Sequence, residues 1–133
     1  MEQRKRITSF RDLEVYRTSY ESWVIREILP KLPESEKYDL RDQLSRSVKA
    51  VPRLIAEGYA KRHQRSGFQK YLDDAMAECN ETIVGLEMCG DLYQSCFTDS
   101  YLEELIDVYD KAGRQLYNLS KAWSTFKDER RTR

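Results

Sequence analysis

From Tyr38 to His63 the apolar residues Leu40, Leu44, Val48, Val51, Ile55 and Tyr59 recur at steps of three or four, which is one face of a helix. Arg46, Lys49 and Arg53, with Asp42 and Glu57, fall on the opposite face. Pro52 sits inside this pattern. Proline lacks a backbone donor and crowds the carbonyl four residues back, so a bend is expected between Val48 and Pro52, with the Val48 carbonyl turned to water or a side chain. Ser35 and Asp39 are both plausible caps for this helix, and the polar run from Lys61 to Arg65 ends it.

Three more segments carry helical periodicity. The first runs from about Ser9 to Lys31, opened by a capping-box-like Ser9 and Asp12 and closed by Pro30 and Pro33. Its main stripe is Leu13, Tyr16, Tyr20, Trp23, Val24 and Ile28, which should fill the core. Val15, Thr18, Ser22, Ile25 and Leu29 form a second, weaker stripe nearly opposite. The next helix starts at a capping box of Ser66 and Gln69 and buries Phe68, Leu72, Ala75, Cys79, Thr82, Leu86, Cys89 and Tyr93. That spacing, near 3.5, suits low-angle helix packing. The last helix begins at Asp99 or Ser100, where Ser100 and Glu103 could form a further capping box. Its stripe is Leu102, Leu105, Tyr109, Ala112, Leu116, Leu119, Trp123 and Phe126. Long helices with short connections run antiparallel to their neighbours. The predicted fold is all-α, an antiparallel up-down-up-down four-helix bundle, in a single domain over 1–133 with short basic tails at about 1–8 and 128–133.

Composition agrees with long amphipathic helices: 35% of residues are charged, 40% are hydrophobic, and only five are Gly. Lys plus Arg and Asp plus Glu are 23 each, so the chain lacks the basic excess of a dedicated polyanion binder. Cys79, Cys89 and Cys96 show no C-x-x-C spacing. With no signal-peptide pattern and no apolar run of membrane-spanning length, this predicts a cytoplasmic protein with reduced thiols.

The candidate chemistry is sparse. A di-iron carboxylate site wants Glu-x-x-His on two helices, and the sole histidine, His63, follows Ala60 at that spacing. Glu78 and Glu81 give one carboxylate pair without a histidine partner. No glycine-rich elbow, Walker or dinucleotide motif occurs. The expectation is a non-enzyme with no metal and no cofactor. The basic groups are the candidates for nucleic acid: Arg46, Lys49 and Arg53 in a stripe, then Lys61, Arg62 and Arg65 beside His63. Arg4, Lys5 and Arg6 begin the chain, and Arg130, Arg131 and Arg133 finish it. The plainer reading of the stripe, and the favoured one, is a solvated face laced by Asp42–Arg46 and Arg53–Glu57 pairs. Gly58, costly inside a helix, is read as a point of close helix approach.

The doubled stripe of the first helix has a consequence for assembly. If the aromatic stripe is buried, Val15, Ile25 and Leu29 face water, and Ala77, Val84 and Met88 lie on the outer side of the third helix. Contiguous exposed apolar surface marks an interface, and two different surfaces meeting head-to-tail close a ring when the rotation allows. Val15, Ile25, Leu29, Val84 and Met88 are therefore the candidate oligomer contacts.

The motifs Phe10-x-Asp12-Leu13-x-Val15-Tyr16, Pro33-x-x-Glu36-x-Tyr38-x-Leu40-x-x-Gln43-Leu44-x-Arg46-Ser47, Pro52 leading into Ile55-Ala56-Glu57-Gly58-Tyr59, and Phe68-x-x-Tyr71-Leu72-x-x-Ala75 occur in that order. Together they resemble the four helix bundle proteins named after open reading frames in intervening sequences of large-subunit ribosomal RNA genes. The resemblance covers roughly Phe10 to Phe126. It departs at Leu54, where the family usually has Asn. The resemblance implies a bacterial helical bundle that assembles as a ring-shaped homopentamer without enzymatic activity. Accessory proteins of diversity-generating retroelements, which bind nucleic acid and a reverse transcriptase, are similar in fold; by that analogy the partners are RNA or DNA and a protein such as a reverse transcriptase. The alternative function is a protein-only interaction module with no nucleic-acid affinity.

Overall fold

The computed structural model describes residues 6–132 except 22 and 65, with side chains as far as 124. Helices α1 (Glu14–Tyr20), α2 (Leu40–Ala60), α3 (Gly67–Leu92) and α4 (Asp99–Thr132) make an all-α four-helix bundle, and no strand occurs among the described residues. Each helix packs on the one before it, and α4 also packs on α1. Across the α2–α3 seam, Gly58 lies against Leu72 and Gly85 against Leu44. Across α3–α4, Gln69 meets Ser120 and Gly90 meets Leu102. Rising number on one helix matches falling number on the next, so these pairs are antiparallel.

Helix α3 buries every position its pattern predicts, from Phe68 to Cys89, with Tyr93 half-buried at its end. Helix α2 buries Leu40, Leu44, Val48, Val51 and Ile55 and runs unbroken through Pro52, which is itself buried. On α4, Leu102, Leu105, Tyr109, Ala112 and Leu116 are buried, and Trp123 packs edge-on against Phe68 and Tyr59. The Phe126 side chain lies outside the described residues.

The capping expectations divide. Ser9 and Asp12 form a full capping box, yet it closes only a 3-10 turn at Phe10–Asp12. Asp39 occupies the N-cap position of α2 without a side-chain bond, and Ser35 lies in a 3-10 turn, Glu34–Glu36. The Ser66–Gln69 box does not form. Gln69 bonds Asp73 at 2.9 Å and accepts the Ser120 hydroxyl at 2.6 Å instead, so a tertiary partner replaces the local one. Ser100 lies inside the first turn of α4, which starts at Asp99.

The largest departure is the first segment, which is not one helix. Leu13 is extended, with φ −73° and ψ 125°, and separates the 3-10 turn from α1. After Tyr20 the chain passes into a π-helical stretch, Val24–Ile28, and a 3-10 turn, Leu29–Lys31. The buried residues run Val15, Ser19, Val24 and Ile28. A π-turn adds one residue per turn, so the step between Ser19 and Val24 is five where a regular helix takes three or four. The phase of the core face shifts across that point. Val15 and Leu29, expected at the surface as oligomer contacts, are core residues at 4% and 7% exposure, and Ile25 is half-buried against the core. Tyr20 and Trp23, expected inside, are 65% and 45% exposed. Two phenol–carboxylate bonds of 2.6 Å tie this arm down: Tyr101 donates to Glu27, and Tyr93 donates to Glu36.

Candidate nucleic-acid groove

The phase shift leaves an open groove between the N-terminal arm and α2. It is lined by Phe10, Tyr16, Tyr20 and Arg26 from the arm and by Lys49, Pro52, Arg53 and Ala56 from α2, and encloses about 490 Å³. Pro52 and Ala56 form the apolar side contributed by α2. Tyr16 and Tyr20, one turn apart on α1, stack with their centroids 5.8 Å apart and planes 27° from parallel. Phe10 meets the edge of Tyr16 at 4.9 Å, with the Arg11 guanidinium 4.5 Å from its ring centre. Arg26 sits 5.7 Å from the Trp23 ring. Three cations and three aromatic rings line the groove, and no carboxylate does.

The basic candidates do different things. Arg46 pairs with Asp42 at 3.2 Å, as the solvated-face reading expects. The companion Arg53–Glu57 pair does not form among the described residues; Arg53 lines the groove with Lys49 and acts at longer range to lower the Glu78 pKa. Lys61 and Arg62 lie roughly 12 Å beyond Arg53 along the helix axis. Arg62 covers the Tyr59 ring at 3.8 Å and bonds the Tyr59 carbonyl at 2.8 Å, which closes the end of α2. Lys61 lies 5.9 Å from the Tyr71 ring. Arg65, Arg4, Lys5 and Arg133 lie outside the described residues, as do the side chains of Arg130 and Arg131. The structure therefore joins Lys49 and Arg53 to the aromatic arm and separates them from Arg46, Lys61 and Arg62.

Sequence reasoning missed Phe10, Tyr16, Tyr20 and Arg26 as surface residues because it assigned the aromatic stripe to the core. The signal for the error was present: a helix with two opposed apolar stripes cannot bury both without a change of phase.

Other ionisable groups are held in their neutral forms. Burial, then the neighbouring Glu81 charge, raises the pKa of Glu78, which lies one turn from Glu81 on α3. Burial also pushes the Cys79 thiol up to about 12 and that of Cys89 to about 11, so neither is primed as a nucleophile. Cys96 is exposed. Among the described residues no three His, Cys, Asp or Glu side chains are grouped to hold a metal, and no helix is long and apolar enough to cross a membrane. Val84 and Met88 are 50% and 45% exposed on the outer face of α3.

Comparison with known families returns one that is described as 23S rRNA-intervening sequence protein, whose model matches residues 11–118. No curated protein and no solved structure matches the chain.

Proposed function

Since the chain belongs to the 23S rRNA-intervening sequence protein family, we propose that it is a non-enzymatic scaffold or adaptor that assembles with copies of itself and binds RNA or DNA. The observation that carries the nucleic-acid part is the groove: Arg26, Lys49 and Arg53 beside Phe10, Tyr16 and Tyr20, with no carboxylate among the lining residues. Cations that make no ion pair within 4 Å among the described residues are available to phosphate, and exposed rings are available to bases.

Self-assembly has a narrower basis than the sequence pattern gave it. The surface now rests on Val84 and Met88 with the exposed Ala77, since Val15 and Leu29 are inside. The homopentamer is the stoichiometry that the family resemblance implies, and a protein partner such as a reverse transcriptase rests on the same resemblance.

Two measurements test the proposal. Binding of labelled RNA and DNA to the full chain should weaken steeply as salt rises, because each phosphate contact releases counterions. Failure to bind either polymer at low salt would leave the protein-only module as the reading. Light scattering should give a mass of several chains at micromolar concentration. Val84→Asp with Met88→Asp should lower that mass with helicity retained, whereas Leu29→Asp should unfold the chain.

A further inference from the structure

The Tyr16–Tyr20 pair is a stack with one end open. Tyr16 is half-buried, supported from below by the edge of Phe10, while Tyr20 is 65% exposed above it. A flat ring laid on the outer face of Tyr20 would continue the ladder as its third rung. Lys49 and Arg53 stand one turn apart on α2, about 6 Å along the axis, and Arg26 closes the groove from the arm. Aromatic faces for bases and cations for the backbone are what a single-strand binder combines. In a duplex the base faces are already stacked on each other, so a duplex can use the cations but not the ladder.

We infer that the groove takes an unpaired nucleotide of single-stranded nucleic acid, its base stacked on Tyr20 and its phosphates on Lys49, Arg53 and Arg26. This rests on the proposed nucleic-acid function and makes it specific for strand state. Charge decides between occupants. A groove with three cations and no carboxylate favours a polyanion. The rival with acidic character on this chain is the outer face of α3 in a second copy, where the exposed Asp73, Glu81 and Asp91 share a helix with Val84 and Met88.

The test is fluorescence anisotropy of the full-length protein with a labelled 12-nucleotide oligouridine, the matching oligodeoxythymidine and a 12-base-pair duplex RNA, each over a salt series. Both single strands should bind more tightly than the duplex. Tyr20→Ala should weaken single-strand binding about 5- to 150-fold with the salt slope unchanged, since base–aromatic stacking is lost and no phosphate contact is. Tyr20→Phe should stay near wild type. Lys49→Ala with Arg53→Ala should flatten the single-strand slope by about 1.4, the share of two phosphate contacts. Circular dichroism and light scattering on each variant separate these losses from misfolding or dissociation. If duplex and single strand bind alike and Tyr20→Ala matches wild type, the stacking inference fails while nucleic-acid binding stands. If no polymer binds, the underlying function fails with it. If the groove variants lower the oligomer mass and leave nucleic-acid binding intact, the groove belongs to a second copy and the inference is overturned.

Discussion

On the side of α2 that faces α3, side chains are small and contacts are close. A methyl group added to Gly58 would lie 3.2 Å from the Leu72 side chain, and one added to Gly85 of α3 would lie 2.5 Å from Leu44 Cδ2. Between these points the Thr82 hydroxyl lies 2.8 Å from Ser47 Oγ and 2.9 Å from the Glu78 carbonyl, sharing its one proton in a buried seam. On the side of α2 that faces the N-terminal arm, the same helix presents Lys49, Pro52, Arg53 and Ala56 to an open groove. One seam excludes water and the other admits it. The difference teaches where stability and recognition are located: the α2–α3 seam fixes register, and the arm, broken by a π-turn, turns its rings outward. π-turns inside helices are frequent at functional sites, and here the turn is what exposes Tyr20 and Trp23.

The sharpest way to break the comparison is to enlarge a residue in the closed seam. Gly85→Val must displace Leu44, which is fully buried and has no free volume to move into. Overpacking of that kind should destabilise by about 1–3 kcal/mol. The control is Gly113→Ala on α4, where an added methyl meets nothing within 4 Å. Removing a helical glycine there should stabilise by about 0.5–1 kcal/mol. Urea unfolding reads both, and equal signs at the two sites would remove the distinction between closed and open surface.

Thr82→Val probes the polar part of the same seam. It conserves shape and removes a buried hydroxyl, while Ser47 keeps its 3.3 Å bond to the Leu44 carbonyl. A loss of about 1 kcal/mol is expected. A more stable variant would mean that the hydroxyl pair specifies register at a cost in stability.

These residues also mark what could be read in advance. The α2, α3 and α4 stripes were legible because each commits a single face to the core for many turns, from Leu40 to Ile55 and from Phe68 to Cys89. Gly58 could be read as a close approach because a helical glycine needs a reason. Gly85, which meets Leu44 more closely, was not distinguished because its partner is set by tertiary register. The arm was misread for a physical reason. Periodicity assumes a constant turn, and a π-turn between Ser19 and Val24 exchanges the two stripes, placing Val15 inside and Tyr20 outside. Lys49 and Arg53 were found by sequence, but the rings that make them a site were not.

The arm depends on its phenol–carboxylate clamps, and one of them gives a pH signature. The bond to Glu27, then burial, raises the Tyr101 pKa to about 12, against an ordinary value of 10. A pKa raised on folding means that the folded state holds the proton more tightly. The stabilisation is therefore complete below about pH 10 and is lost as pH climbs toward 12. Tyr101→Phe should cost about 1 kcal/mol at pH 7, and its deficit against wild type should shrink between pH 10 and 12. Buried Cys79, Cys89 and Tyr109 shift in the same direction, so the difference between the two proteins, followed by thermal melting, is the informative quantity.

The smallest expected effect sharpens the comparison most, because it asks whether the open groove contributes to folding at all. Lys49 and Arg53 are exposed, and their nearest assigned roles are groove lining and a long-range effect on Glu78. Exposed helical positions of this kind change stability by no more than about 0.5 kcal/mol when replaced by Ala, a residue at least as favourable to helix. Three like charges facing one groove also repel, so removing two of them relieves the folded state slightly. Lys49→Ala and Arg53→Ala, singly and together, should therefore leave the urea midpoint within that margin or raise it a little. A loss above about 1 kcal/mol would show that these cations hold the arm onto α2, and the groove would then be a structural seam like its neighbour. A neutral result, set beside the loss expected of Gly85→Val, would place the two sides of α2 under different demands: packing on one and solution chemistry on the other.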